Sequence, residues 1–450
     1  MAILAIAIAG SGFAFWSRFG KVIAIIQSAK KDQDFTLGDL ARRARIFLWE
    51  VLFQAKVIEQ RPVPGLAHAL VFWGFCAFAL VTVNHFALGF GVELISPSGW
   101  LGRVYFALAA VFAVGVSAGI LFLAFRRFIL QPKWLGKVNP ESGFIAFLIF
   151  TLMWTYLADY ALHSQGGAGK LIWWLHTAAI LVFLPLVPHT KHLHLILGPA
   201  AVYLKRETFS QIPPLVGDED FGLDTGKDIT QLLALQSFSC VECGRCTEHC
   251  PANNTGKSLN PKEMILGIRS YLKEYGPASD TPLLDKHLSQ EAAFQCTTCG
   301  ACEYQCPVGV QHLPLIIGLR RGATNTGKWE DDYGNKLFLN LERNGNPLGM
   351  SASQRESFVT KQQFPIYDGT QEYCLWLGCM GAYDPQGREI VIALTEVLRH
   401  LGITYGVLKK ERCTGDSARR LGNDLVFAQL AEQNLEILKA HKASKLLSIC

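Results

Sequence analysis

The sequence predicts an all-α membrane helical bundle of five transmembrane helices, followed by an α-helical ferredoxin domain with two [4Fe-4S] clusters and a partial α/β cysteine-rich domain. Three observations carry this. The long apolar stretches all lie before residue 200, eight of the 13 cysteines fall into two copies of one motif, and short apolar strands alternate with helices from Tyr373 onward. Half of the 450 residues are hydrophobic and only 18% are charged, and almost all of the apolar excess sits in the first 200 residues. A net charge of +5 is too small to argue for a nucleic-acid partner. No basic-headed signal peptide with a small-residue cleavage site opens the chain.

Five apolar spans can be drawn, at Ala2 to Trp16, Leu66 to Phe90, Val104 to Phe125, Phe144 to Leu162 and Leu171 to Pro188. Crossing the hydrocarbon takes about 20 residues, so the first is short unless it continues past Arg18 to Ile26 with its basic side chains snorkelling. Residues 17 to 63 and the loop holding Arg126, Arg127, Lys133 and Lys137 are rich in Lys and Arg, whereas the other two loops carry little beyond Arg103 and Lys170. The positive-inside rule then puts the N-terminus outside and everything after the fifth span in the cytoplasm, as in a multi-pass protein of the cell inner membrane. Leu40 to Val57 mixes Arg with Leu, Ile, Phe and Trp at helical spacing, which suits either an interfacial helix or a plain soluble one.

Histidine inside a bilayer segment is uncommon and marks a functional candidate. His176 and His194 are 18 residues apart, five helical turns, and share a face about 27 Å long if the helix runs on past Pro185 and Pro188. His68 is level with His194 and His85 with His176, so one or two b haems with paired imidazoles can be accommodated. His68 and His85 lie about 100° apart around their helix, which weakens the outer pair. His189 and His192 are alternatives to His194. The bland reading makes all of these satisfied polar groups at helix ends. Asp159 and His163, at i and i+4, form either a proton or quinone site or a hydrogen-bonded pair at a helix end. Cys76 reads as a small hydrophobe.

The motif is C-x2-C-x2-C-x3-C-P, running from Cys240 to Pro251 and again from Cys296 to Pro307. Three thiolates on one tight loop take three corners of a [4Fe-4S] cube, and the fourth is turned toward the other cluster. The expected sets are Cys240, Cys243, Cys246 and Cys306, and Cys296, Cys299, Cys302 and Cys250. Zinc sites use two separated C-x2-C pairs, and disulfides do not suit thiols packed this closely. The 45 residues between Cys250 and Cys296 exceed what a compact strand-built ferredoxin needs and carry a helical pattern from Pro261 to Tyr275. The membrane domain then covers residues 1–206, a polar tether 207–230, the ferredoxin domain 231–320, and a linker or helical region 321–370 in which Asn335 to Gly349 is a loop or lid.

From 371 to 450 strands are expected at Cys374 to Gly378, Ile403 to Leu408 and Lys445 to Ile449, with helices at Gly387 to Leu401 and Asp424 to His441. Cys379, Cys413 and Cys450 each lie at or just past the end of an element, where an open α/β sheet binds its ligands. They are candidate ligands of a further [4Fe-4S] cluster, the alternative being three buried free thiols. No Gly-x-Gly-x-x-Gly or Walker motif offers a nucleotide site, so electrons must enter from a partner.

Resemblances to known families add to this reading. Residues 66 to 206, with Leu175-His176, His194 and Tyr203-Leu204-Lys205-Arg206, resemble the gamma-subunit family of membrane nitrate reductases, five-span cytochromes b. That family's second histidine on span two falls where this chain has Phe78. Cys379, Cys413 and Cys450 resemble the cysteine-rich repeat of heterodisulfide reductases. Cys413-Thr414-Gly415 has one sulfur fewer than the repeat's Cys-Cys-Gly, which implies an ordinary cubane, and the final Cys-x-x-Cys is cut after its first residue, as if the chain stopped inside a domain. The module order, with the run Glu411-Arg-Cys-Thr-Gly-Asp-Ser-Ala-Arg-Arg-Leu-Gly-Asn423, resembles the membrane-bound iron-sulfur oxidoreductases proposed as electron-transfer flavoprotein:menaquinone oxidoreductases. The resemblance implies transfer from a cytoplasmic flavoprotein through the clusters and haem to a membrane quinone. Rival expectations are a disulfide or heterodisulfide reductase, the iron-sulfur subunit of a 2-hydroxyacid oxidase, and a redox-sensing membrane anchor.

Overall fold

The computed structural model describes all residues except 34, 136–138, 163–165, 216, 218–219 and 450. It resolves into two compact units, Met1–Pro213 with Thr225–Leu315, and Pro214–Asp224 with Ile316–Cys450.

In the first unit α1 is Ala2–Ser28, a 27-residue helix that runs straight through Arg18 and so reaches spanning length, as the snorkelling alternative expects. Helix α2 (Leu40–Phe47) passes through a wider π turn, Leu48–Leu52, and the chain breaks at Gln54, whose φ of 55° is left-handed, before α3 (Ala55–Gln60). The single helix expected over Leu40 to Val57 is thus interrupted. Arg43 on α2 is buried and donates to the carbonyls of Tyr203 and Lys205 at 2.6 and 3.0 Å, and such charge-assisted bonds clamp this segment to the end of the fifth span's extension.

The other long helices are α4 (Pro62–Gly89), α5 (Trp100–Phe125), α6 (Pro140–Leu162) and α7 (Gly166–His189). All five are long and apolar enough to cross a membrane. Neighbours in sequence pack on one another from α4 to α7, and α1 closes onto α7. Between them lies a core of Phe78, Val81, Ala109, Ala113, Val116 and Met153. Small residues let the backbones approach: a Cβ on Gly119 of α5 would stand 2.8 Å from the Ala67 carbonyl of α4. Cys76 lies on the exposed side of α4.

The continuous helix expected from His176 to His194 does not form. Pro185 and Pro188 each remove an amide donor, α7 ends at His189, and Thr190 turns extended, its hydroxyl capping a short 3-10 turn, Lys191–Leu193. Helix α8 (His194–Leu204) starts afresh.

The cysteine region is not tethered at a distance from this bundle but is built into the same unit. Lys30, just past α1, accepts the amide of Gln231 at 2.8 Å and donates to Ile229 at 3.0 Å, like a bridge of parallel sheet. Asp32 pairs with Arg206 at 3.2 Å and takes the Leu232 amide at 2.9 Å. The helix that follows, Gln231–Ser239, is buried from Leu232 onward. The helix expected at Pro261 to Tyr275 is found at Pro261–Glu274, capped by Asn260.

The second unit holds a parallel sheet of β1 (Tyr373–Trp376), β2 (Tyr405–Val407) and β3 (Leu446–Ser448) in the order β2-β1-β3. The connecting helices are Pro385–His400 and Asp424–Ala440, so every predicted element is present within two or three residues. Residues 321–370 are no linker here. Helices Asp332–Asn344 and Ala352–Lys361 bring Phe338, Leu341, Phe358 and Val359 against Leu375, Val391 and Val407 to make the core. Most of the loop expected at Asn335 to Gly349 is therefore helix, N-capped by Asp331 and closed by Gly345 at φ 66°.

Candidate cofactor sites

Both cysteine motifs adopt one backbone. The third residue is left-handed (Glu242 φ 57°, Thr298 φ 55°), as is the fifth (Gly244 φ 73°, Gly300 φ 74°), and a one-turn helix follows. Two left-handed residues in five curl the loop so that three sulfurs face one volume. Cys306 lies in electrostatic reach of Cys240, Cys243 and Cys246, while Cys302 has Cys296 and Cys250 beside it. Those are the two crossed groups that the spacing predicts, Cys299 being exposed on its loop. Amides donate to sulfur from Thr298 to Cys296 at 3.3 Å and from Val310 to Cys306 at 3.2 Å, as thiolate ligands require. Burial pushes the Cys240 thiol up to about 12 and the Cys246 and Cys302 thiols up as well, because each charge would sit among other sulfurs without water. Cationic iron reverses that penalty, so the sites fit [4Fe-4S] ligation. Among the described residues no three such side chains converge on one ion position. A tetrahedral zinc needs that convergence, whereas the irons of a cube bind one cysteine each.

Gly244 also presses against its surroundings. A Cβ there would lie 2.0 Å from the Trp134 carbonyl, whereas at Gly300 it would meet side chains, Ser210 Oγ at 2.4 Å and the Phe209 ring at 2.6 Å. Gly244→Ala is expected to lose most of the iron of its cluster, and Gly300→Ala to lose less, because side chains can move aside and a carbonyl cannot. Iron per chain in the purified variants checks this.

The histidines form two unequal pairs. The His68 and His194 rings are 6.4 Å apart between centroids. A metal held by two imidazole nitrogens at about 2 Å each sets the centroids roughly 6 Å apart. Nδ1–H of His194 donates to the Lys191 carbonyl at 2.8 Å, and Nδ1 of His68 meets Gln54 Oε1 at 3.2 Å, which leaves both Nε2 lone pairs available. The break after His189 thus costs nothing at this pair. At the other pair, His85 and His176 stand only 4.8 Å apart and are already satisfied, by Thr177 and Thr155 at 2.8 Å each. Trp173 stacks on His85. His189 bonds back to Pro185, and His192 bonds to Thr190, its ring 5.9 Å from that of His194. Phe78 lies edge-on to Tyr156. His163 is outside the described residues, so its pairing with Asp159 has no geometry. A cavity of about 720 Å³ has His68, His176, His194 and Phe78 on its wall, and also Cys243 and Arg245 of the first motif.

In the second unit Cys379 follows β1 and Cys413 follows β2, and their side chains touch. The hydrogen bond from Cys379, with help from the Gly415 amide, lowers the Cys413 thiol to about 7. Buried Glu411 fixes both loops: it pairs with Arg355 at 2.7 Å and accepts the Gly378 amide at 2.7 Å. Asn434 brackets the Cys413 loop through the Arg412 amide and the Cys413 carbonyl, both at 3.0 Å. Cys450 is outside the described residues. Arg355 and Asn434 had no sequence signal, since only the fold brings them to the cysteines.

Spanning helices, a two-cluster helical ferredoxin region and a cysteine-bearing α/β unit define a membrane-anchored iron-sulfur oxidoreductase. Residues 239–310 match the family model of a 4Fe-4S dicluster domain, and residues 373–450 that of a cysteine-rich domain. The chain belongs to the family of the probable iron-sulfur-binding oxidoreductase FadF of Bacillus subtilis, being 30% identical to it over 89% of this chain and 68% of the relative. It is 29% identical to the EtfAB:quinone oxidoreductase of Syntrophomonas wolfei over 90% of this chain and 68% of that one. Similarity of 27% to one component of the dihydromethanophenazine:CoB–CoM heterodisulfide reductase of Methanosarcina mazei covers 51% of this chain and 58% of the relative. No solved structure matches.

Proposed function

We propose that this protein passes electrons from a reduced flavoprotein of the electron-transfer flavoprotein class, through iron-sulfur clusters and one b haem, to a membrane quinone of the menaquinone type. Cys240, Cys243, Cys246 and Cys306 hold one [4Fe-4S] cluster, Cys296, Cys299, Cys302 and Cys250 the second, and Cys379, Cys413 and Cys450 ligate a third. His68 and His194 hold the haem. When bound, these groups supply one-electron transfer. The protein fixes their spacing: Gln54 and the Lys191 carbonyl set the imidazole tautomers, and Glu411 with Arg355 holds the Cys379 and Cys413 loops. One haem is proposed because the 4.8 Å between His85 and His176 leaves no place for a metal between the rings. The observation that carries the proposal is the cavity wall shared by the His68 and His194 pair and Cys243.

Support for donor and acceptor comes from the name of the Syntrophomonas relative, which joins EtfAB to quinone. The basic loops support a cytoplasmic position for the cysteine regions. Heterodisulfide cleavage is the weaker reading, because Thr414 stands where a paired cysteine is expected. The test is a redox-difference spectrum of the detergent-purified protein. A b-haem band should appear, be reduced by reduced electron-transfer flavoprotein, and be reoxidised by a menaquinone analogue. No haem band overturns the membrane assignment, and a band that the flavoprotein cannot reduce overturns the donor.

A further inference from the structure

The two ferredoxin motifs share a backbone but not an electrostatic setting. At the position after the motif glycine the first has Arg245 and the second Ala301. Arg245 is buried, donates to Gln60 Oε1 at 2.8 Å, a neutral partner, and lies in electrostatic reach of Cys243, Cys306 and His68. More cations surround the same four sulfurs. Arg269 donates to the Cys240 carbonyl at 3.3 Å, Lys56 faces Cys306, and Arg61 and Arg126 face Cys243. Two anions, Glu242 and Glu248, pair with Arg269 and Arg61, and Glu50 is held by Lys205 at 2.7 Å. Cations thus outnumber anions around the first cluster. Beside Cys302 in the second motif stands buried Glu303, which accepts the amides of Leu313 and Ser210 at 2.7 and 3.2 Å and has Arg206 in electrostatic reach.

Positive charge close to a cluster favours the reduced form, which carries one more electron, and so raises its reduction potential. The cluster that the cations favour is also the one next to the membrane site. Among the described residues that line the cavity of His68 and His194, Cys243 represents the first motif and no cysteine represents the second.

We propose that the first-motif cluster is the exit cluster: electrons pass from the second-motif cluster to the first and from there to the membrane site, with Arg245 the positioning residue that sets this order. This rests on the cofactor assignment above. Each transfer oxidises one ferrous iron of the donor cluster and reduces one ferric iron of the acceptor, and no bond or proton is exchanged. A reduced flavoprotein supplies the electrons.

Potentiometric electron paramagnetic resonance on the full-length protein tests it, because it reads midpoints rather than turnover. Arg245→Gln should lower the higher-potential couple, disfavouring its reduced state about tenfold, which is about 59 mV for a one-electron couple. The lower couple should stay in place, and Arg245→Lys should remain near wild type. Ala301→Arg should raise the lower couple, and it carries the test if Arg245→Gln fails to assemble. A shift of the lower couple in Arg245→Gln, no shift in either, or a rise of the higher couple in Ala301→Arg overturns the order of transfer. Absence of two cluster signals in the wild-type protein instead overturns the cofactor assignment on which the order depends.

Discussion

Cys250→Ser is expected to remove the cluster of the second motif and leave that of the first. Cys250 belongs by sequence to the first loop, yet it lies beside Cys302, while Cys306 of the second loop lies with Cys240, Cys243 and Cys246. A cube deprived of one thiolate keeps a poorly bound iron, and in a site as buried as Cys250's no side chain of like softness stands in. The variant should therefore lose one paramagnetic signal and about half of the ferredoxin-type iron. The surviving signal should be the one that responds to Arg245→Gln, since that charge sits at the first-motif sulfurs. Loss of the Arg245-sensitive signal would mean that each loop closes its own cluster.

His194→Leu should eliminate the b-haem absorption, and His85→Leu should preserve it. Rings 6.4 Å apart with their Nδ1 atoms engaged can share a metal, whereas rings 4.8 Å apart with threonine partners cannot without rearranging. Removing His194 leaves His68 with no second imidazole across the gap. The ratio of haem to protein in the two purified variants decides it, and a His85→Leu protein without haem would move the site to the outer pair.

Much of this was legible in the sequence because the signals are local. Three cysteines within seven residues dictate a loop, a stretch of twenty apolar residues dictates a spanning helix, and strands ending on Cys379 and Cys413 follow from alternation of short apolar runs with helices. What escaped depends on partners far apart in the chain. Nothing near Gln54 announces a left-handed break, because the break is fixed by what α2 and α3 each pack against. Phe338, Leu341 and Phe358 were hidden in a Gly- and Asn-rich stretch that reads as linker, although their helical spacing suits a buried face. Arg355 is tied to Glu411 only by the sheet between them. The pairing of His68 with His194 was anticipated for the wrong geometric reason, since the continuous helix that would align His194 with His176 stops at His189.

The backbone bridge between Lys30 and residues 229–231 has a consequence for biogenesis. The two partners are separated by some two hundred residues, so the segment leaving the first span waits, as synthesis proceeds, for four further crossings to be threaded before its mate emerges. Iron loading of the cysteine loops on their permanent seat is then a late event, placed after insertion is finished. A ribosome stalled beyond the fifth crossing but short of Gln231 should yield an embedded bundle whose inner edge stays open to protease near Lys30, and only longer nascent chains should protect it.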